Sequence, residues 1–464
     1  MKLPGFADFP FGAAALVVLV TALASGAALF LVDFRSHRAA TPDLVFATFT
    51  KEHAVAYRPA IVEFEKKHGV RVQLQVVDQR ALQGRLQSAL QVGADVPDMV
   101  ELMDGTMGIF TRGPLPDVGF VDLTDRIHAS GLYDKLVQSR FGRWSSRGRI
   151  FALPHDVHPT MLAYRRDLVE KLGIDVSTLT TWEEFCRVGR QITRDYTGDG
   201  VVDHYMIDLP ANQPWALRLL ILQRGGGMFS PDGRVTFDNP EAVDVVCWYV
   251  KQIQGSQRIS FSCDWGQTLS KAMYDGLCLF YIAPDWRTFQ FQMDSPGLAG
   301  KMSLMPMPAW EPGGLRTSTW GATGLAITRQ CRRFDLAWEL AMYLYYDPPQ
   351  LGRRFADTNI LPPYIPSWSQ PQFDEARAFF SGVRLGRVYA DLAPDVPDEV
   401  SHPYMQQAEG KLWEAFGKVS QHHARHGEQG LRDFAAGELK RCADDVRRMI
   451  ARNAFLDEPA EARR

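Results

Sequence analysis

The chain has 464 residues, with 51 Lys and Arg against 54 Asp and Glu, for a formal net charge of −3. That balance supplies no basic footprint for nucleic acid. Hydrophobic residues make up 46% and charged residues 23%, which excludes disorder as the main state, and at roughly 150 residues per domain the length predicts two or three cores.

Phe11 to Val32 is a run of 22 residues without a charge. As a helix it would measure about 33 Å, enough to cross a bilayer core of about 30 Å. Lys2 precedes the run, and Asp33, Arg35, His37 and Arg38 follow it, so the flanking charges do not orient it. Ala22-Leu23-Ala24 suits a signal-cleavage site poorly because it lies inside the run, and there is no Cys near its end for a lipid anchor. The segment is read as an uncleaved transmembrane signal anchor over 11–32, with a cytoplasmic end at 1–10 and a polar linker at 33–43.

Beyond the linker, Leu44 to Phe49 is a short apolar run that predicts a strand, and Tyr57, Ile61 and Phe64 follow at helical spacing. From Val70 to Val76 apolar residues alternate with Arg71, Gln73 and Gln75, the period of a strand. Leu82, Leu86 and Leu90 predict a second helix, and Asp98 to Met103 a third strand. Strand, helix and strand repeated within about 60 residues imply a parallel sheet covered by helices. Further on, Thr181-Trp-Glu-Glu184 is a capping box, and Asp238-Asn-Pro240 places a capping side chain before a first-turn proline. Strands are predicted at Leu277 to Ile282 and Gly324 to Thr328, and helices at Asp335 to Leu344 and Leu431 to Met449. Six cysteines are scattered without metal-ligand spacing; Cys247, Cys263 and Cys278 are the nearest candidates for a disulfide, with buried free thiols the alternative.

Four blocks stand in a recognisable order: Gly93-Ala-Asp-Val-Pro-Asp-Met-Val100; Gly148-Arg-Ile-Phe-Ala-Leu-Pro154 with Leu162-Ala-Tyr-Arg-Arg-Asp-Leu168; Leu172-Gly-Ile174 leading to Thr181-Trp-Glu-Glu-Phe185; and Tyr274-Asp-Gly276 through Met305-Pro-Met-Pro308 to Gly321-Ala-Thr-Gly-Leu-Ala-Ile327 and Ala337-Trp-Glu-Leu340. Together they resemble the extracellular solute-binding proteins of the maltose-binding-protein family, the receptors of ATP-driven sugar importers. Arg165 stands where that family usually has Asn.

The resemblance implies an α/β, two-lobed periplasmic-binding-protein fold (type II) with an interlobe cleft, here preceded by one transmembrane helix. The N-terminal lobe would comprise 44–155 and 320–360, and the C-terminal lobe 160–312 and 365–456, with hinges at Pro154 to Tyr164 and Pro306 to Trp320. The implied function is capture of a carbohydrate by hinge closure and its delivery to ABC permease and ATPase subunits on separate chains, with the body outside the cytoplasm. No cofactor and no nucleic acid is called for.

Open α/β sheets bind ligands at the carboxyl ends of their strands. That rule selects Thr50 after the first strand and Asp104 after the third. His155 and Asp156, just past the Leu-Pro of the second block, are added as ligand contacts, as are Trp215, Asp285, Trp286 and Trp320. A sugar presents a C–H face that packs on an aromatic ring and a rim of hydroxyls for charged partners, so Asp285-Trp286 suits a carbohydrate. Two metal readings stay open as alternatives: His155-Asp156-Val-His158, and a calcium loop from Asp195 to Asp203 that has Met206 where the bidentate Glu belongs. Alternative functions are a glycoside hydrolase using Asp156 and Asp285 as paired carboxylates, a solute-sensing subunit, or a receptor for a polyamine or metal.

Overall fold

The computed structural model describes residues 17–26, 41–93 and 96–455. Among the described residues twelve strands follow in chain order: β1 (Leu44–Thr48), β2 (Val72–Val76), β3 (Met99–Met103), β4 (Ser145–Ser146), β5 (Arg149–Ile150), β6 (Leu153–Pro154), β7 (Thr160–Arg165), β8 (Tyr205–Asp208), β9 (Ser260–Phe261), β10 (Cys278–Pro284), β11 (Met302–Pro306) and β12 (Thr323–Ile327). They form two five-stranded sheets, in the orders β2-β1-β3-β12-β6 and β11-β7-β10-β8-β9, and β4-β5 is a separate pair. In the first sheet β1 runs parallel to β2 and β3, whereas β12 is antiparallel to β3 and β6. In the second, β8 is parallel to β10 and β9, and β7 is antiparallel to β10 and β11.

The central strands are buried on both faces, which is why their sequences run apolar instead of alternating. β10, Cys-Leu-Phe-Tyr-Ile-Ala-Pro, is buried at every position. β2, at a sheet edge, follows the alternation of the sequence only at its start, with Val70 and Val72 buried and Arg71 and Gln73 exposed, and loses it at its end, where Val76 is exposed. Each sheet is covered by helices whose apolar residues face it. The Lys51–His68 helix and the Phe334–Tyr346 helix pack Tyr57, Ile61, Phe64, Leu340 and Leu344 on one core. The Met405–His426 and Leu431–Ile450 helices pack Leu412, Phe416, Leu439 and Val446 on the other. The capping box at Thr181 forms as expected, and Asn239 caps its helix through the amide of Ala242, 2.9 Å away. Gly324 is required by close packing, because a Cβ there would lie 2.5 Å from the Trp144 ring.

The chain crosses between the sheets from β6 to β7 and from β11 to β12. The two crossings run side by side, with an antiparallel bridge between Pro159 and Thr319 and a 3.0 Å hydrogen bond from the Thr160 amide to the Ser318 carbonyl. His158, in the first crossing, holds a left-handed backbone with φ 55°.

The charge-free stretch 11–32 falls largely outside the described residues. Its portion 17–26 is helical with exposed side chains, and among the described residues no helix is long and apolar enough to cross a membrane. The strands β8, β9 and β11 were not anticipated. They are only four, two and five residues long, and their neighbours in the sheet lie far away in sequence.

Candidate functional site

A cavity of about 320 Å³ lies where the strand ends of the two sheets meet, at the lower end of the range for small-molecule sites. Its walls combine Asp104, which follows β3, with Trp215 and Arg218 of the Trp215–Gln223 helix, Trp320 of the second crossing, and Glu399 and Glu409 from the C-terminal part of the chain. Aromatic and charged side chains share the lining.

The aromatic wall belongs to a cluster of four tryptophans, of which Trp215 and Trp320 line the cavity and Trp286 and Trp265 pack around Trp320. Trp215 and Trp320 stack face to face, with ring centroids 3.6 Å apart and planes within 1°. Trp286 meets Trp320 edge-on at 4.9 Å, and Trp265 lies 5.6 Å from Trp320 and 6.5 Å from Trp286. Hydrogen bonds fix the rings: Gln213 Oε1 accepts from the indoles of Trp215 (3.1 Å) and Trp265 (2.8 Å), and Trp286 donates to the Trp320 carbonyl (3.0 Å). Beneath them the buried Arg287 guanidinium lies 4.9 Å from the Trp265 centroid and 5.5 Å from those of Trp215 and Trp320, within cation–π range. It donates to the Ile282 carbonyl at 2.7 Å and faces Asp208 at 3.6 Å.

The charged wall is a network that joins the two sheets' loops. Arg143 contacts Asp104 and Glu399, each at 2.6 Å. Arg218 contacts Glu399 at 2.6 Å and Asp104 at 3.2 Å, and also bonds Glu409. Burial works to raise the pKa of Asp104, but the Arg143 and Arg218 guanidiniums outweigh it and hold the carboxyl at about 2. The network offers both donors and acceptors at the cavity rim, and burial pushes the Glu409 carboxyl up from its ordinary range.

Of the residues selected from sequence, Asp104, Trp215 and Trp320 line the cavity, and Trp286 braces it. The others are occupied elsewhere. Thr50 is the N-cap of the Lys51–His68 helix, accepting from the Glu52 amide at 3.2 Å. His155, Asp156 and Asp285 are fully buried beside the crossings. His158 bridges the two carboxylates, with Nε2 3.1 Å from Asp156 and Nδ1 2.6 Å from Asp285. Burial opposes the imidazolium, but the two carboxylates overcome this and raise the His158 pKa to about 9. The pair a glycosidase would need is therefore joined by a histidine inside the protein and does not face the cavity. Arg143, Arg218, Glu399, Gln213, Trp265 and Arg287 were missed. Arg218 had a signal, three residues after Trp215 on one helix face; Glu399 had none, because its partners lie about 180 and 250 residues away in sequence.

His53, Glu101 and His155 bring one metal-ligand atom each to within 4.8 Å of one another. Glu101 already accepts from Thr48, His53 (3.0 Å), Tyr57 (2.6 Å) and Tyr345, so its oxygens are committed within the protein, whereas His155 Nε2 has no hydrogen-bond partner. In the 195–203 turn, Asp195 accepts from the amides of Gly198 and Gly200 and Asp203 from those of Tyr196 and Thr197. Those oxygens are committed to the backbone, as in an ordinary Asx turn.

The sequence profile of the bacterial extracellular solute-binding proteins matches residues 48–350, more than half of the chain. The chain belongs to that family. It is accordingly an exported solute receptor and not an enzyme. The arabinooligosaccharide-binding protein of Bacillus subtilis is 23% identical over 436 residues, covering 92% of this chain and 97% of that protein. Its counterpart in Halalkalibacterium halodurans is 25% identical over 366 residues, 77% of this chain and 79% of that protein. Among solved structures, the sugar-binding protein MalE from Xanthomonas citri superposes with a TM-score of 0.70 at 20% identity, over 88% of this chain and 99% of that one. That likeness carries the two-lobed α/β fold.

Proposed function

We propose that the receptor captures an oligosaccharide in the cavity between its lobes and hands it to the permease and ATPase of an ABC importer. The single observation that carries the carbohydrate assignment is the stacked Trp215–Trp320 pair in a cavity also lined by Asp104, Arg143, Arg218, Glu399 and Glu409, with Trp286 and Trp265 packed around Trp320. Flat indoles match the C–H faces of sugar rings, and the rim supplies bidentate partners for hydroxyls. The names of the bacterial relatives, two arabinooligosaccharide-binding proteins, favour an oligosaccharide over a single sugar. Asp104, Trp215, Trp286 and Trp320 remain our ligand contacts, joined by Trp265, Arg143, Arg218 and Glu399.

The lobes, 44–155 with 320–360 and 160–312 with 365–456, would close about the paired crossings, and a ligand touching both walls would favour the closed form by its differential affinity. We further propose that residues 11–32 tether the receptor to the membrane, on the strength of their 22 uncharged residues. Carbonate washing of membranes, with N-terminal sequencing of the mature protein, tests the tether: release into the soluble fraction or a new N terminus past residue 24 would refute it. A thermal-shift screen against arabino- and malto-oligosaccharides, polyamines, amino acids and metal ions tests the ligand class. A stabilising hit among the oligosaccharides is expected, and hits confined to amines or metals would overturn the assignment.

A further inference from the structure

Cys263 and Cys278 have no exposed surface, and their sulfurs lie 3.4 Å apart. Among the described residues no other two cysteine sulfurs come within hydrogen-bonding reach of each other. We propose that the exported receptor carries a Cys263–Cys278 disulfide, and that this bond fixes the Trp265 arm of the aromatic wall. The second half of the proposal rests on the oligosaccharide reading; the first does not.

The geometry needs little change. A disulfide places its sulfurs about 2.05 Å apart, and rotation about Cα–Cβ of either cysteine moves its sulfur by more than the remaining gap. Cys278 opens β10, and Cys263 follows β9, the neighbour of β8 in the same sheet. The bond would close a loop that carries Trp265 and the Gln267–Asp275 helix. Trp265 is the most exposed of the four tryptophans, at 37%, and its own hydrogen bond reaches only Gln213. Its backbone is held two residues earlier, where the Cys263 amide donates to Asp208 Oδ1 at 3.0 Å. Asp208 in turn faces Arg287, the cation under the tryptophans. A covalent link at Cys263 therefore anchors the loop at the point where it joins the wall.

An extracellular destination permits disulfides. Formation proceeds by exchange with an exported thiol oxidase that carries a disulfide. One cysteine thiolate attacks that disulfide, expelling a thiolate and forming a mixed disulfide; the second cysteine then attacks the first cysteine's sulfur, expelling the oxidase's other thiolate. The receptor loses two protons and two electrons, and the oxidase is left as a dithiol. Burial raises the Cys278 thiol far above its ordinary range, so in the folded protein exchange is slow in either direction, and the bond forms during folding.

The test uses the full chain, exported through the secretory route of a disulfide-forming bacterium and purified without reductant. Denaturation in an alkylating agent should tag four of the six cysteines before reduction and all six after it, with the Cys263 and Cys278 peptides linked in the unreduced digest. Six tags before reduction, or linkage of a different pair, would overturn the bond. Arabino-oligosaccharide affinity, measured before and after reduction in mild denaturant followed by refolding and capping, should fall severalfold. Unchanged affinity would overturn the positioning role, and an absence of sugar binding in the oxidised protein would instead count against the ligand class while the tag count still decides the bond.

Discussion

His158 ties the buried carboxylates of Asp156 and Asp285 together, and replacing it by Asn tests how much of the stability that tie carries. Asn tolerates the left-handed backbone that His158 adopts and cannot bind a proton in the relevant range. The folded protein holds the His158 proton with a pKa of about 9, against an ordinary value of 6.5. At 1.36 kcal/mol per pH unit, the difference amounts to about 3 kcal/mol. Because the folded state binds this proton more tightly than the unfolded chain, the stabilisation is complete below pH 6.5 and is lost as the pH rises through 9. Urea unfolding of both proteins from pH 6 to 10 reads the effect. The native protein should lose about 3 kcal/mol more than His158→Asn across that window, and below pH 6.5 the gap between them should be constant. Parallel curves throughout would refute the charged bridge between Asp156 and Asp285.

Trp320→Ala removes the partner of the Trp215 stack and should weaken oligosaccharide binding by about 30-fold, or about 2 kcal/mol, in calorimetric titration. Arg218→Ala takes away a partner of Glu399, Asp104 and Glu409 together and should cost about 3 kcal/mol in denaturant unfolding as well as impairing binding. Glu101→Leu leaves the donors of Thr48, His53, Tyr57 and Tyr345 without their shared acceptor, and a loss of roughly 3 kcal/mol or more is expected. Chelator or added calcium should leave the melting temperature unchanged, since the 195–203 turn spends its carboxylate oxygens on backbone amides.

The fold was legible where a local pattern and its tertiary surroundings agree. The apolar–polar alternation from Val70 to Gln73 is matched by burial in β2, an edge strand, and the Thr181 capping box works through neighbours within one turn. β8 and β9 escaped because a strand of two to four residues contains too little period to read, and its identity comes from the strands beside it. The site divided in the same way. Asp104 follows a strand that the sequence did reveal, and it lines the cavity. Asp285 and Asp156 follow comparable strands, yet they turn inward, because His158 and the amides of Leu361 and Thr323 offer them partners that only the folded chain brings near. Trp265 was passed over because nothing in Cys-Asp-Trp-Gly marks an element; its role comes from Gln213 and Arg287, residues drawn in from other loops.

The proposed receptor binds an oligosaccharide at the Trp215–Trp320 cavity and leaves it intact. Calorimetric titration of the purified receptor with arabino-oligosaccharides, with tryptophan fluorescence followed in the same samples and the sugar recovered afterwards, tests this most directly. Saturable one-to-one binding, a change in indole emission that Trp320→Ala abolishes, and sugar of unaltered chain length are expected. Binding that Trp320→Ala leaves untouched, or shortened sugar in the recovered fraction, would contradict it.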